Sequence, residues 1–439
     1  MKCLIIASGR GSRLATRSPS KPLTPVLGLP LIARVILKAR KAGIKEFYIV
    51  TGYRGKELQE YLKLFAEERR LKITCLHNEN WERENGLSVL KAKDVIKEKF
   101  ILLMSDHIID ENIIKKLKNQ KISDGEVILA VDSNIKNNRF VNIDDATKVI
   151  VKDQRVVDIG KELESYNAYD TGVFLCTPAI FKALKQSSER GNTSLSGGMK
   201  ILARKSCVKA FDVNGNYWID VDDEAQLMRA EHHLTRILIN KECDGPVAKY
   251  INRPFSLRIT KFLMKTKIQP NTITVFCFLI SIIAALFLSL KGYLPLAIGA
   301  VLAQLASILD GCDGEIARLK DLETRFGGWF DAVLDRYADA LLLLGLTYHI
   351  FQEMNNPGVI FLGAAALIGS LINSYTAEKY DGFFSKKRNQ YFRIGRDLRI
   401  FIIFLGGLFN QPLAALVLIA FLMNIENIRR IVVLSRAWS

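Results

Sequence analysis

The sequence has no clustered cysteine chemistry. Its seven cysteines stand at 3, 75, 176, 207, 243, 277 and 312, with no CxxC pair and no Cys/His cluster. That spacing leaves no zinc site or disulfide framework to argue for. Histidine is scarce, five residues, and equally scattered. No internal repeat or low-complexity tract stands out. Residues 1–240 contain no long apolar run. The apolar stretch after Met1 is too short for a signal peptide, so the first domain is expected to stay in the cytosol. The loop Ser8-Gly9-Arg10-Gly11-Ser12-Arg13-Leu14 lacks the third glycine of a dinucleotide fingerprint, because Leu14 takes its place, and no Gly-Lys-Ser/Thr follows. NAD binding and P-loop chemistry are therefore disfavoured.

What the chain has in plenty is positive charge and, late in the chain, apolar sequence. The net charge is +17. Many of the basic residues flank hydrophobic runs, which suits a membrane-facing rim better than a nucleic-acid partner. At 439 residues there is room for several domains. We read a cytosolic domain at 1–235, a hinge and juxtamembrane segment at 236–271, and a transmembrane domain at 272–439. Within the hinge, residues 257–265 have the pattern of an amphipathic helix lying on a bilayer. Candidate spans are 272–290, 293–317, 328–350, 357–376, 397–409 and 412–428, against a requirement of about 20 apolar residues. With the first domain cytosolic, thirteen Lys and Arg fall on the cytosolic side and one, Lys291, on the other. That asymmetry agrees with the positive-inside rule and puts the C-terminus in the cytosol as well.

Four aspartates interrupt the apolar sequence. The run is Asp310-Gly-Cys-Asp313-Gly314-Glu-Ile-Ala317-Arg318, then eight residues, then Gly327-Gly-Trp-Phe-Asp331-Ala-Val-Leu-Asp335. Spacings of i,i+3 and i,i+4 put each pair on one helix face. The short link 319–326 predicts that the two helices are antiparallel neighbours. At ~1.5 Å per residue each carboxylate lies within about 15 Å of that link, just inside the cytosolic boundary. Carboxylates at membrane depth are costly and usually functional. Two such faces brought together make an oxygen cage for a hard divalent cation. Neutralisation by Arg318 and Arg336 alone would leave like charges buried at high cost.

The pattern D-x2-D-G-x2-A-R-x8-G-x3-D-x3-D resembles the signature of the CDP-alcohol phosphotransferases, integral membrane enzymes usually with six spans. Pro270-Asn271-Thr272-Ile273-Thr274 resembles the start of that family's first span. The resemblance implies a metal site from Asp310, Asp313, Asp331 and Asp335. It also implies cytidine diphosphate contacts from Asp310, Gly314, Ala317, Arg318 and Gly327, with Asp335 as general base. Downstream, Lys386-Lys387-Arg388 and Arg393, Arg396 and Arg399 are basic. Arg forks bind phosphate bidentately, so Arg393, Arg396 and Arg399 are candidates for an acceptor-phosphate pocket. Lipid-headgroup anchoring is the competing reading, evenly matched at Lys386–Arg388.

In the first domain, residues 3–7 read as a buried parallel strand running into the glycine loop and then Ser20-Lys21-Pro22-Leu23. This arrangement resembles the sugar-phosphate nucleotidyltransferases, with Ser8 at a position more often Gly or Ala. The resemblance implies an α/β Rossmann-like fold followed by an all-α six-helix transmembrane domain. It implies CTP contacts from Ala7, Ser8, Gly9, Gly11, Arg13, Lys21, Asn85, Ser88 and Asp106, with Arg13 and Lys21 catalytic. Asp106, at the end of Ile101-Leu-Leu-Met-Ser105, and Asp220, in Trp218-Ile-Asp220, would hold the metal. Asp170-Thr-Gly172 is similar to a polyol contact. Asp222 and Asp223 read instead as helix N-caps before Glu224.

The base is not legible from the loop, but the fusion supplies it. If the membrane half consumes a CDP-alcohol, the first half makes it from CTP. Together the halves resemble the bifunctional CTP:inositol-1-phosphate cytidylyltransferases joined to CDP-inositol:inositol-phosphate transferases, whose product is a precursor of a compatible solute. The resemblance implies CTP, inositol 1-phosphate and CDP-inositol as ligands and Mg²⁺, or Mn²⁺ in its place, as cofactor. It also implies a lipid bilayer as host and a homodimer through the membrane helices. The competing reading is a membrane half that makes a phospholipid beside a separate or inactive nucleotidyltransferase.

Overall fold

The structure, a computed structural model, describes residues 1–135, 145–239, 245–264, 266, 268–384 and 395–438, without the side chains of 239, 378, 379, 381–384, 437 and 438. It divides into two compact units, Met1–His233 and Leu234–Ser439.

The first unit is built on alternation in short apolar strands. In β1 (Lys2–Ala7) Cys3, Ile5 and Ala7 point to one core, and Leu4 and Ile6 to another. Both faces are covered, so the strand reads as a continuous apolar run, as buried parallel strands do. Besides a small hairpin of Pro25–Val26 with Leu29–Pro30, the other strands are β2 (Glu46–Thr51), β3 (Lys72–His77), β4 (Phe100–Met104), β5 (His107–Ile109), β6 (Val127–Asp132), β7 (Lys148–Lys152), β8 (Arg155–Gly160), β9 (Ala168–Cys176), β10 (Val208–Asp212) and β11 (Trp218–Asp220). Nine of them form one mixed sheet in the order β3-β2-β1-β4-β9-β6-β10-β8-β7. Its β3-β2-β1-β4 half is parallel, and β9 joins β4 antiparallel. Helices α1 (Leu31–Lys41), α2 (Gly55–Arg69) and α4 (Glu111–Lys118) bury their apolar stripes on one face. On the other lie α3 (Gly86–Leu90), α5 (Ala179–Glu189) and α6 (Leu195–Arg204). The crevice beyond the carboxyl ends of the parallel strands is where a ligand site is expected in such sheets. Helix α7 (Glu224–Ile239) follows β11.

The second unit is helical: α8 (Arg253–Leu263), α9 (Pro270–Ser289), α10 (Tyr293–Leu319), α11 (Arg325–Met354), α12 (Gly358–Phe384), α13 (Arg396–Leu408) and α14 (Pro412–Trp438). Among the described residues, α9, α10 and the Gly358–Ala377 part of α12 are long and apolar enough to cross a membrane. Helix α13 has 13 residues, and α11 and α14 carry buried charge, such as Asp339 and Arg430.

One expectation needs correction here. Helices α10 and α11 are not packed side by side; each instead packs extensively on α9. Small residues permit it: a Cβ on Gly345 would meet the Ala285 carbonyl at 2.5 Å, and one on Gly299 the Ala284 carbonyl at 2.8 Å. The link 320–324 is still short. Asp321 takes a left-handed conformation and the Leu322 amide closes onto the Ala317 carbonyl at 2.7 Å, ending α10. Thr324 caps α11 by accepting from the Gly327 amide at 2.9 Å. Helix α8 has two unlike faces. It buries Ser256, Leu257 and Thr260 and exposes Phe255 and Phe262, so its inward face is largely polar.

Candidate functional sites

In the first unit the glycine loop passes over β1 and folds back on Lys21. Gly11 has φ 59°, and a side chain there would overlap that of Lys21. Lys21 is 8% exposed. Its ammonium donates to Asp106 Oδ2 at 2.5 Å and also to Asp222 Oδ1. Burial opposes the ammonium, yet Asp106 and Asp222 outweigh it and hold Lys21 above its ordinary range. Burial would likewise raise Asp106, but Lys21 and the His107 ring prevail and keep it well below the carboxylate range. His107 Nδ1 lies 2.8 Å from Asp106 Oδ1. Arg13 donates to Asp145 Oδ2 at 2.5 Å and pairs with Asp222 Oδ2 at 3.2 Å. Hydrogen bonds from Lys161 and Arg13 bring Asp145 down to about 2.

Short strands β5 and β11 pair antiparallel with His107 opposite Asp220, which carries Asp220 to the Asp106 side. Trp218 stays in place because its indole donates to Asp132 at 2.9 Å. Asp220 Oδ1 is buried without a hydrogen-bond partner, and burial pushes this carboxyl up to about 6. An orphaned carboxylate oxygen beside a second and third acid fits a divalent cation. A cavity of about 230 Å³ opens here, lined by Asp106, His107, Asp170, Gly172, Asp220 and Asp222 among others. Gly172 has φ 72°, and a Cβ on it would meet His107 Nε2 at 2.6 Å, so the Asp170-Thr-Gly172 turn hugs the cavity.

The other residues expected at the nucleotide scatter more. Ser8 and Ser88 share a hydrogen bond of 2.7 Å, and Asn78 donates to Ser88 at 3.0 Å. Ser8 and Ser88 are buried; Gly9, by contrast, is exposed, with open space where a Cβ would stand. Ala7 ends β1. Asn85 accepts from the Leu195 amide at 2.9 Å, anchoring the start of α6. Asp223 is the N-cap expected, accepting from the Gln226 amide at 2.8 Å. Asp222 is not a cap. It sits on Lys21 and Arg13, and the run Asp220-Val-Asp222 held the available signal, since alternate residues of an extended segment share one side.

In the second unit, Asp310, Asp313 and Asp331 each bring one oxygen within 4.8 Å of the others. Three convergent carboxylates of low exposure are a donor set for a hard divalent ion. Thr274 donates to Asp313 Oδ2 at 2.5 Å. A cavity of about 230 Å³ adjoins the cluster, lined by Asp313, Gly314, Ala317, Arg318, Gly327 and Asp331 with Asn271 and Thr274. Asp335 stands apart from this triad. Its Oδ1 pairs with Arg396 at 2.7 Å, and the same Arg396 nitrogen donates to Asp310 Oδ2 at 2.9 Å. Arg396 also donates through Nε to Asp339 at 3.0 Å. Arg399 is enclosed, 3% exposed, and bonded to Asp339, the Ser370 carbonyl and Ser374. Arg399 therefore lines no open pocket, while Arg396 reaches the aspartates directly. Arg393, like Lys386, Lys387 and Arg388, lies outside the described residues. Asp339 was missed at the sequence level, although it extends the 331, 335 stripe by one more turn.

Two family models match the chain: nucleotidyl transferase over residues 2–236 and CDP-alcohol phosphatidyltransferase over residues 267–425. A bifunctional IPC transferase and DIPP synthase of Aquifex aeolicus is 33% identical over 434 residues, covering 97% of this chain and 96% of that protein. The protein of the same name from Thermococcus kodakarensis is 36% identical over 389 residues, covering 88% of this chain and 84% of that one. Among solved structures, the inositol-1-phosphate CTP transferase from T. maritima is 23% identical with a TM-score of 0.48, covering 53% of this chain and 93% of that chain.

Proposed function

From the premise that the chain belongs to the family of bifunctional IPC transferases and DIPP synthases, we infer how its two acidic centres divide the work. The first unit transfers a cytidylyl group from CTP to inositol 1-phosphate, giving CDP-inositol and pyrophosphate. The second transfers the inositol-phosphate group of CDP-inositol to a second inositol phosphate and releases CMP. The observation that carries this reading is the convergence of Asp310, Asp313 and Asp331, two of which, Asp313 and Asp331, line one cavity with Gly314, Ala317, Arg318 and Gly327.

A divalent cation, Mg²⁺ by preference with Mn²⁺ able to replace it, supplies charge neutralisation of the phosphates and stabilisation of the leaving group in either centre. Asp106, Asp220 and Asp222 would hold it in the first unit, and Asp310, Asp313 and Asp331 in the second. Lys21 and Arg13, already aimed at that acidic face, take up charge developing on the triphosphate. Ser8, Gly9, Gly11, Asn85 and Ser88 are assigned to the nucleotide, and Asp170 to the polyol hydroxyls. In the second step the acceptor oxygen forms a bond to the phosphorus carrying inositol, and the bond to CMP breaks. The acceptor's hydroxyl proton passes to a carboxylate, for which Asp335 is assigned. Arg396, which bridges Asp310 and Asp335, is assigned to orienting an anionic acceptor beside that base.

We assign both units' sites to the cytosolic side of a multi-pass membrane protein, with self-association through its membrane helices. The charge asymmetry supports the first part, and cross-linking in vesicles tests the second. The deciding experiment supplies purified protein with CTP, Mg²⁺ and a panel of polyol phosphates, followed by ³¹P detection. Pyrophosphate, CDP-inositol and then a water-soluble phosphodiester are expected. A product that extracts into organic solvent would overturn the assignment of the acceptor.

A further inference from the structure

Glu315 lies inside the aspartate motif, two residues after Asp313, yet takes no part in the acidic cluster. At 100° per residue it projects from α10 almost opposite Asp313. It is 0% exposed. A carboxylate so buried is costly unless every oxygen is satisfied. Here Oε1 accepts from Arg253 at 2.8 Å and Ser256 at 2.6 Å, and Oε2 accepts from Thr260 at 2.6 Å. All three donors are on α8. The same seam continues toward the N-terminus of α10, where Asn252 donates to Ser307 at 3.2 Å and accepts from Gln304 at 2.9 Å. Helix α8 is thus latched to the rear of the helix bearing Asp310 and Asp313, at the level of those acids.

The chemistry of such a latch differs from that of apolar packing. An apolar seam tolerates sliding and rotation, whereas a charge with three aimed donors specifies one register. The metal cluster needs that precision, since a displacement of under 1 Å changes the fit of a cation cage. We infer that Glu315 is a positioning residue: by locking α8 against α10 it sets the rotation at which Asp310 and Asp313 face Asp331, and so sets the affinity of the membrane centre for its divalent cation. The inference rests on the reading of that cluster as a metal site.

The test is Mn²⁺ binding by EPR to the full chain in lipid vesicles, in an Asp106→Asn background so that the membrane centre reports. CMP release from supplied CDP-inositol is followed in parallel. Glu315→Ala should raise the Mn²⁺ Kd at least tenfold. Thr260→Val, which keeps the Arg253 ion pair and removes one donor, should raise it about threefold. Glu315→Gln, which retains partners for Ser256 and Thr260, should fall between Glu315→Ala and the parent. A residue needed only for stability would lower the folded fraction and leave the Kd of that fraction unchanged. If Glu315→Ala does not fold, Thr260→Val decides. A parental Kd in the folded variants overturns the inference. A parent that binds Mn²⁺ but releases no CMP overturns the phosphotransfer reading and leaves the role of Glu315 to be judged on Kd. A parent that binds no Mn²⁺ overturns both.

Discussion

Lys21 is a buried ammonium with Asp106 and Asp222 on one nitrogen, and its removal leaves two acids facing each other. Lys21→Met is expected to slow pyrophosphate release from CTP about 10²–10³-fold, the usual cost of one donor on developing charge, with CMP release from supplied CDP-inositol unchanged. Asp170 makes a different prediction. Burial lifts its carboxyl to about 6, so below that pH it is protonated and loses acceptor strength toward polyol hydroxyls. The KM for inositol 1-phosphate should therefore rise up to about tenfold as pH falls from 7 to 5, the size of one charge-assisted bond. Asp170→Asn should flatten that profile. Because the folded pKa is raised, ionisation of Asp170 also costs stability as pH climbs through 6, and the variant should be relatively more stable at pH 8. At this scale much of the site was legible. Asp310, Asp313 and Asp331 converge and Lys21 lies on Asp106, whereas Asp335, expected with that cluster, pairs with Arg396 instead. Asp222 and Asp339 carried only a faint signal, alternation with Asp220 in one case and one more turn of the 331, 335 stripe in the other, because each acquires its partner through folding, Lys21 and Arg396 respectively.

Among the elements, the buried strand at 3–7 and the helical character of α9 to α14 follow from period and apolar content alone. The mixed half of the sheet does not, since pairing of β9 with β4, β6 and β7 is set by long-range register. Nor does the wedge of α9 against both α10 and α11. A short link constrains only the ends of two helices, and close packing is then decided by where small residues lie. Gly345→Val tests this. Its side chain would drive into the Ala285 carbonyl, so the variant should lose about 1–3 kcal/mol, the range for overpacked contacts. Thermal unfolding in detergent should show the loss.

For the whole molecule, two chemistries in one chain predict separable losses. Asp106→Asn should abolish pyrophosphate release while CMP release from supplied CDP-inositol persists. Asp331→Asn should do the reverse, with CDP-inositol accumulating from CTP and inositol 1-phosphate. The fall in CMP release should be at least about 10³-fold if charge neutralisation at the phosphates carries most of the rate. EDTA should stop both and added Mg²⁺ restore both. Equal loss of both steps in either variant would count against two independent centres.

Helix α13 has 13 residues, which at ~1.5 Å each is about 20 Å, against roughly 30 Å of hydrocarbon in a typical bilayer. Were α13 to span such a bilayer, the lipid around it would thin or water would enter, and either outcome would ease the approach of a polar alcohol to Arg396. Acyl chain length then becomes a variable of catalysis: vesicles of lengthening phosphatidylcholines should slow CMP release progressively and leave pyrophosphate release alone.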